Sequence, residues 1–394
     1  MTDPRAYAAE QLAIILGAPV ALTDAQADRC WAMLTREEER RAPTDRHGNY
    51  PHTRSVLARL DLLEQPPLHD DIAALGGGMI PPRWPNGHRF AACLTHDVDR
   101  IVRCPWRERL RQYRTLSDRA TRQQAFRWHA AAIAYGLRAL VGCSDTAPYD
   151  FYLEEEGKRG FHSTFFVLPE RLQHPTVYDH FYRYSDHVRL LGARMTFAKA
   201  SQQAHALGWE IGLHGSYASA YDARILSAEK ADLEAMLGQP VTAVRQHFLR
   251  FNAEITPRVQ ADVGFTVDAT LGYSRTIGCR AGLAFPYFWP EQDLLEIPLI
   301  IQDVGLLRNS EHRGDLCQAI ARVKALITRI AQIGGMVTLS WHTHPDSPGA
   351  HACYRALLDL ISNLGGWGCT AGELNAWWRQ RRAALRLSIM RMAL

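Results

Sequence analysis

From residue 89 onward, the sequence contains seven short apolar runs that are separated by longer amphipathic segments. The runs are FAACLTH, HSTFFVL, WEIGLH, AVRQHFL, FTVDATL, LLEIPLI and MVTLSWH. Each is short and apolar, which is typical of a buried strand. Helical periodicity lies between several of them, at residues 196–207, 227–237, 255–263 and 313–333. Apolar strands that alternate with helices form a parallel sheet covered by helices, so the sequence predicts an α/β chain with a seven-stranded (β/α) barrel.

The first 85 residues have a different pattern. Helical periodicity covers residues 8–16 and 24–39, and Thr23 and Asp24 offer an N-cap to the second helix. The segments GGGM and PPRWPNG then interrupt the pattern. We therefore predict an N-terminal, mainly helical extension over residues 1–85 and a barrel domain over residues 86–394. The extension contains no cluster of residues that suggests chemistry, and its role stays open.

Composition places the chain among ordinary globular proteins. It is 47% hydrophobic and 22% charged, and its net charge of +4 is too small to indicate a nucleic-acid partner. The charge is uneven, because nine arginines between residues 100 and 127 accompany only Glu108 and Asp118. We predict a basic helical insert at about residues 100–145. Its arginines form either a solvated helix face or a peripheral contact with an anionic glycan, a nucleotide-linked donor or a membrane surface.

The sequence predicts a cytoplasmic protein. Its eight cysteines are scattered without C-x-x-C pairs, so they indicate neither a zinc knuckle nor a disulfide framework. The N-terminus lacks the basic region of a signal peptide and resembles an amphipathic helix. No run reaches the roughly 18 apolar residues of a membrane span.

Histidines and aspartates gather at the ends of the predicted strands. They are His96, Asp97, Asp99, His214, His247, Asp268 and His342. Functional groups of parallel barrels lie at the carboxyl ends of the strands, so these side chains are expected to share one site. Asp97 and Asp99, two residues apart, would share a proton or a cation. Each residue taken alone also fits a turn, a cap or a structural ion pair, such as Arg245 with His247.

Carboxylates together with neutral imidazoles form the mixed ligand set that zinc and similar ions accept, with a position left for water. Water bound in such a site has a pKa near about 7 and attacks a carbonyl with help from a carboxylate base. The residues therefore predict a hydrolase.

In the same order, the motifs resemble those of the polysaccharide deacetylase superfamily, carbohydrate esterase family 4. The resemblance runs from about residue 89 to about residue 375. The matching segments are LTHDVD, GFHSTFFVL, GWEIGLHGS, VRQHF, GFTVDATLGY, LEIPL and TLSWHTH. It implies a distorted (β/α)7 barrel that removes acetyl groups from N-acetylated sugars, in a divergent branch associated with envelope-glycan gene products.

The resemblance also implies roles for individual residues. Asp97 matches the catalytic base, and Arg245 matches the arginine that keeps the base ionised. His342 matches the late histidine that protonates the leaving amine. His214 matches the first metal-binding histidine, and Phe248 occupies the position whose main-chain N–H helps to bind the oxyanion.

Two positions depart from the family pattern. Val98 stands where the family has its metal-binding aspartate, so that ligand must come from Asp99. Ala218 stands where the family has its second metal-binding histidine. His247 is the first candidate to replace it, and His96 the second. The expected cofactor is a divalent metal, zinc foremost, with cobalt or nickel as alternatives.

The leading hypothesis is a metal-dependent hydrolase that removes an N-acetyl group from an N-acetylated sugar or glycan precursor. Two alternatives remain open at this point. One is a catalytically degenerate barrel that serves as a glycan-binding or scaffold module. The other is a metal-independent amide hydrolase.

Overall fold

The computed structural model describes residues 2–76, 84–101, 146–308, 316–343 and 348–392. Ten of the strands in this part of the chain form one sheet, and two form a separate antiparallel hairpin, β3–β4. The strands are β1 Phe90–Val98, β2 Thr164–Val167, β3 His187–Leu190, β4 Ala193–Thr196, β5 Glu210–Gly215, β6 Ala243–Gln246, β7 Val267–Asp268, β8 Tyr287–Phe288, β9 Leu295–Glu296, β10 Ile301–Gln302, β11 Met336–Ser340 and β12 Gly366–Cys369.

The large sheet curls into an incomplete barrel of parallel strands. Its order is β10-β11-β1-β2-β5-β6-β7-β9-β8, and β12 pairs with β1. Only β8, which forms a hairpin with β9, runs antiparallel within it. Each of the seven predicted runs contains a strand of this sheet, so the predicted distorted (β/α)7 barrel is confirmed. The distortion lies between β9 and β10, which follow one another in the chain but belong to different parts of the sheet.

Strand β1 organises the barrel. All nine of its residues are buried. One edge pairs with β11, and the other edge pairs first with β12 and then with β2. All three partners are parallel to β1, so the carboxyl ends of β1, β2 and β11 lie at the same edge of the sheet. The acidic end of β1 is thereby brought beside the histidine that follows β11.

Helices surround the sheet. Those of the described residues are Pro4–Leu16, Asp24–Leu34, Val56–Arg59, Leu68–Leu75, Asp150–Gly157, Phe197–Ala206, Ala223–Leu237, Thr256–Asp262, Leu316–Gln332, Pro348–Asn363 and Ala371–Met392. None is long and apolar enough to cross a membrane. The helices predicted within the barrel are present. One begins four residues early, at Ala223, because the Asp222 side chain accepts hydrogen bonds from the amides of Arg224 and Ile225.

The second N-terminal helix ends earlier than predicted. It stops at Leu34, and Arg36 adopts a left-handed conformation with φ 57°. The fully buried Arg36 side chain donates to Glu39, whose carboxylate also accepts from Arg280 of the barrel. Because the helix ends at Leu34, Arg36 and Glu39 form a buried ion network with Arg280 of the barrel.

The N-terminal segment packs directly on the barrel and shares its hydrophobic core. Tyr7 donates to the carbonyl of Phe288 at 2.9 Å, and the Gln11 side chain accepts from the Phe288 amide at 2.9 Å. The predicted boundary near residue 85 follows residues 77–83, which lie outside the described part of the chain. Most of the predicted basic insert, residues 102–145, also lies outside it.

His69 provides a buried contact of the same kind. Its Nε2 accepts a hydrogen bond from the Ala284 amide at 3.0 Å, and its ring stacks on Phe285. Burial lowers the pKa of His69 to about 3, so the ring stays neutral in the folded protein. In the unfolded chain its pKa returns to about 6.5.

We predict that His69 makes the protein sensitive to acid. Below pH about 6.5 the unfolded chain takes up a proton that the folded protein does not, so stability falls by about 1.4 kcal/mol per pH unit until about pH 3. Between pH 7 and pH 5 the wild type should lose about 2 kcal/mol more than His69→Gln, which keeps an acceptor without the titration. Urea unfolding at both pH values measures this difference. Parallel losses in the two proteins would contradict the prediction, and the exposed His174→Gln serves as control.

Candidate metal and catalytic site

A cleft of about 490 Å³ opens at the carboxyl ends of the barrel strands. Five of the six residues predicted to form the site line it, namely Asp97, Asp99, His214, His247 and His342. The sixth, Arg245, is fully buried and contacts Asp97. The parallel pairing of the strands explains why these residues lie together, because it places the carboxyl ends of β1, β5, β6 and β11 at one edge of the sheet. The structure thus brings the predicted residues together at one cleft, and their individual roles stay predictions.

Asp97 forms a buried ion pair with Arg245. The Arg245 guanidinium donates to Asp97 Oδ1 at 2.8 Å and to Thr95 Oγ1 at 2.8 Å, and its Nε donates to the carbonyl of Ala269 at 2.9 Å. Burial alone would raise the pKa of Asp97, but the Arg245 charge and the nearby imidazoles outweigh it and lower the pKa to about 2. Asp97 is therefore a carboxylate at neutral pH, with its Oδ2 directed towards the cleft histidines.

Among the described residues, Asp99 has no such guanidinium partner, and imidazoles surround it. Its carboxylate lies 3.5 Å from His214 Nε2, 3.8 Å from His180 Nε2 and 3.9 Å from His247 Nδ1. Burial would raise the pKa of Asp99, but these imidazoles together hold it well below its usual range. Within the described chain, the buried Asp99 Oδ1 and His247 Nδ1 make no hydrogen bond.

Asp99, His180 and His247 fit a divalent cation. Their ligand atoms all lie within 4.8 Å of one another. Two ligands of one zinc ion lie about 3.3 Å apart, so a small inward movement would complete the coordination. Burial lowers the pKa of His247 to about 3, which leaves its ring neutral with a lone pair to donate. Asp99 Oδ1 and His247 Nδ1 are buried, face each other and have no hydrogen-bond partner among the described residues, so one shared cation would satisfy both atoms.

His214 faces the same carboxylates. Its Nδ1 lies 3.0 Å from the carbonyl of Arg245, and since a carbonyl only accepts, Nδ1 carries the hydrogen. This bond directs Nε2 towards Asp99 Oδ1 and Asp97 Oδ2, at 3.5 and 4.0 Å. A backbone bond that fixes the tautomer is the usual support of a metal-binding histidine.

His180 was missed by the sequence reasoning. It lies in the segment between β2 and β3, where no strand pattern marks a site. Its neighbour Asp179 is anchored there, because its carboxylate accepts from the amide of Tyr217 at 2.7 Å and from the amide of Thr176 at 2.8 Å. The turn that carries Ala218 thus binds the segment of His180, and an imidazole from a different loop reaches the carboxylate.

His96 is not a ligand, and its ranking as the second replacement candidate is wrong. Its Nε2 pairs with Glu156 at 2.8 Å, and its Nδ1 lies 2.8 Å from the carbonyl of Trp341. Asp268 also lies outside the cleft. Its carboxylate accepts from the Thr270 amide, and burial raises its pKa to about 6 beside Glu296. Both residues are buried polar groups that have partners behind the sheet.

His342 is positioned by Asp303, which the sequence reasoning also missed. Asp303 Oδ1 lies 2.6 Å from His342 Nδ1, and its Oδ2 accepts from the His342 amide. His342 Nε2 lies 3.9 Å from Asp97 and 3.8 Å from Asp99. Burial would lower the pKa of His342, but Asp303 and the two other carboxylates raise it to about 10. The ring is therefore a proton donor at neutral pH.

Phe248 lines the cleft on a strained turn. Phe248 and Leu249 both have positive φ, at 59° and 50°, which is unfavourable for side chains larger than glycine. Asn49 of the N-terminal segment holds this turn. Its Nδ2 donates to the carbonyl of Phe248 at 2.9 Å, and its Oδ1 accepts from the amide of Phe251 at 3.2 Å.

The N-terminal segment therefore contributes to the site. Asp45, Arg46, His47 and Asn49 all line the cleft. The expectation that the first 85 residues contain no cluster relevant to chemistry is wrong for this stretch. Only long-range packing brings it to the barrel, and the local polar pattern TDRHGNY carries no signal of that packing.

Known proteins provide a comparison at the level of the fold. No family model matches the sequence, and no curated protein is similar to it. A protein named as a polysaccharide deacetylase from Mycobacterium smegmatis has a similar structure, with 18% identity and a TM-score of 0.50, over 77% of this chain and 95% of that one. A second, from Pseudomonas aeruginosa PAO1, has 16% identity and a TM-score of 0.48 over 77% and 96% of the chains. The chain has the polysaccharide deacetylase fold, as its motifs predicted.

We predict that Asn49 maintains the strained turn. Asn49→Ala leaves the carbonyl of Phe248 and the buried amide of Phe251 without their partner, which should lower the free energy of unfolding by about 2 kcal/mol. It should also increase hydrogen exchange at the amides of residues 248–251. Asn375→Ala, which removes an asparagine with two side-chain bonds away from the cleft, is the matched control and should leave those amides protected. Equal exchange in Asn49→Ala and wild type would contradict the prediction.

Proposed function

We propose that the protein is a metal-dependent hydrolase that removes an N-acetyl group from an N-acetylated sugar or glycan precursor. The observation that carries this proposal is the buried carboxylate of Asp99, whose Oδ1 faces the unsatisfied Nδ1 of His247 with two further imidazoles beside it. The polysaccharide deacetylase fold supports the same reaction class. We further propose zinc as the metal and the cytoplasm as the location.

The proposed metal ligands are Asp99, His180 and His247. His214, whose Nε2 also faces the Asp99 carboxylate, is an additional proposed ligand. His180 replaces the histidine that family members have at the position of Ala218. When bound, the cation would polarise the acetyl carbonyl and lower the pKa of a water molecule to about 7.

The remaining steps belong to residues of the chain. Asp97, kept ionised by Arg245, accepts the proton of the attacking water. The main-chain N–H of Phe248 donates to the oxygen that becomes negatively charged. His342, kept protonated by Asp303, donates a proton to the departing amine. Water and the acetamido group are thereby converted to acetate and a free amine.

This arrangement favours an enzyme over a glycan-binding module. A binding module has no use for a deeply buried Asp97–Arg245 pair, and none for an imidazolium held by Asp303 at 2.6 Å. It also favours a metal over metal-independent hydrolysis, because Asp99 is a second buried carboxylate that the acid–base pair does not need.

We predict one divalent metal per chain, bound through His180. His180→Ala should lose at least about 90% of the metal under conditions that saturate the wild type, because loss of a ligand lowers affinity by more than the 10–100-fold typical of supporting residues. Metal analysis after dialysis with zinc measures this. His174→Ala, in the same loop but exposed, is the matched control and should bind normally.

Catalysis is tested on the same proteins. Wild type and His174→Ala should release acetate from N-acetylated sugar donors, and His180→Ala and Asp97→Asn should lose this activity by about 10³-fold. Metal-free wild type that gains nothing from zinc, cobalt or nickel and releases no acetate would overturn the proposal. Metal binding without acetate release would instead support the glycan-binding alternative.

A further inference from the structure

The cleft carries positive charge that the proposed chemistry does not use. Arg46 from the N-terminal segment and Arg275 from the loop after β7 both line the cleft that contains Asp97 and Asp99, and both are exposed. Asp97 already has Arg245 as its partner, and Asp99 has its imidazoles. Neither exposed arginine is therefore needed to neutralise the buried carboxylates.

Arg46 is held in place by the turn that contains it. Its Nε donates to His47 Nε2 at 3.0 Å, which occupies one edge of the guanidinium. Asp45 Oδ1 accepts from the amides of His47 and Asn49 at 2.8 and 3.0 Å, which fixes the turn. Arg250 then ties the turn to the barrel by donating to the carbonyl of His47 at 2.9 Å.

The two guanidinium groups have free donors. The terminal nitrogens of Arg46, and the whole side chain of Arg275, make no hydrogen bond or ion pair with the described residues. Both charges act on the same ring: burial lowers the pKa of His47, Asp45 opposes this, and Arg46 and Arg275 lower it further. Both arginines line the same cleft as His47, so both charges face a ligand bound there.

An apolar surface lies beside these charges. His47 is in ring contact with Phe248 and Tyr178, with centroids 4.8 and 5.0 Å apart. Phe248 and Tyr178 are 38% and 37% exposed, so their rings are accessible to a ligand. Exposed aromatic faces of this kind can cover the apolar face of a sugar ring.

We propose that Arg46 and Arg275 bind the phosphate of a phosphate-linked N-acetylated sugar, whose ring lies against Phe248. Guanidinium groups bind phosphate oxygens in a planar, two-pronged geometry, and two of them match the several oxygens of one phosphate. The inference rests on the proposed deacetylase function and narrows its substrate class. A nucleotide-linked sugar and a lipid-linked sugar share this chemistry.

Equilibrium binding tests the subsite apart from catalysis. The probes are N-acetylglucosamine 1-phosphate and N-acetylglucosamine, titrated into the zinc-loaded protein by calorimetry. The wild type should bind the phosphorylated sugar at least about tenfold more tightly, and the double variant R46Q/R275Q should bind both sugars equally. Arg258→Gln, an exposed arginine that does not line the cleft, is the matched control and should keep the preference. Equal binding of both sugars by the wild type, or a preference that survives in the double variant, would overturn the inference.

Activity assays separate this result from the failure of the proposed function. A phosphate preference that R46Q/R275Q abolishes, without acetate release from any substrate, would keep the subsite and reject the deacetylase. Acetate release without a phosphate preference would keep the deacetylase function and reject the phosphate subsite. UDP-N-acetylglucosamine and a short prenyl-diphosphate-linked N-acetylglucosamine, compared as substrates, identify which phosphate-linked source the wild type prefers, and loss of that preference in the double variant supports the subsite.

Discussion

Two neighbouring carboxylates at the end of β1, the buried Asp97 and the largely buried Asp99, impose the constraint on which the site depends. A carboxylate removed from water needs a positive charge nearby, and two neighbouring carboxylates need two such charges. For Asp97 the charge comes from Arg245, which is fully buried behind the strand. Around Asp99 the described residues place imidazoles instead of a guanidinium, and the ligand atoms of Asp99, His180 and His247 lie close enough together to bind one cation. In the proposed mechanism, this difference in partners makes Asp97 the proton acceptor and Asp99 a metal ligand.

The same constraint bears on the two positions at which the sequence departs from the deacetylase motifs that it resembles. Val98 is a buried strand residue paired beside Val167, so the second carboxylate moves one residue further, to Asp99, at the end of the strand. Ala218 stands where those motifs have a histidine, so an imidazole must come from another loop. Asp179 binds that turn through the Tyr217 amide and brings His180 to the carboxylate. In the proposed metal site, Asp99 thus compensates for the first departure, and the anchored loop that carries His180 compensates for the second.

The sequence predicted the barrel and the strand-end residues because both follow from local periodicity. Each apolar run forms a strand, and parallel pairing brings Asp97, His214 and His342 together without further information. The residues that were missed, His180, Asp303 and Asn49, lie in loops or in the N-terminal segment, where only tertiary contacts decide their position. His96 was wrongly ranked for the same reason, since its buried partner Glu156 lies 60 residues away in the chain.

The central claim is that Asp99, His180 and His247 bind one divalent cation. A crystal structure of the zinc-soaked protein, with anomalous differences measured on both sides of the zinc absorption edge, tests it most directly. The account predicts one strong peak within about 2.3 Å of Asp99, His180 Nε2 and His247 Nδ1. No peak in the cleft, or a peak that contacts His342 and Asp303 but not His180, would contradict it.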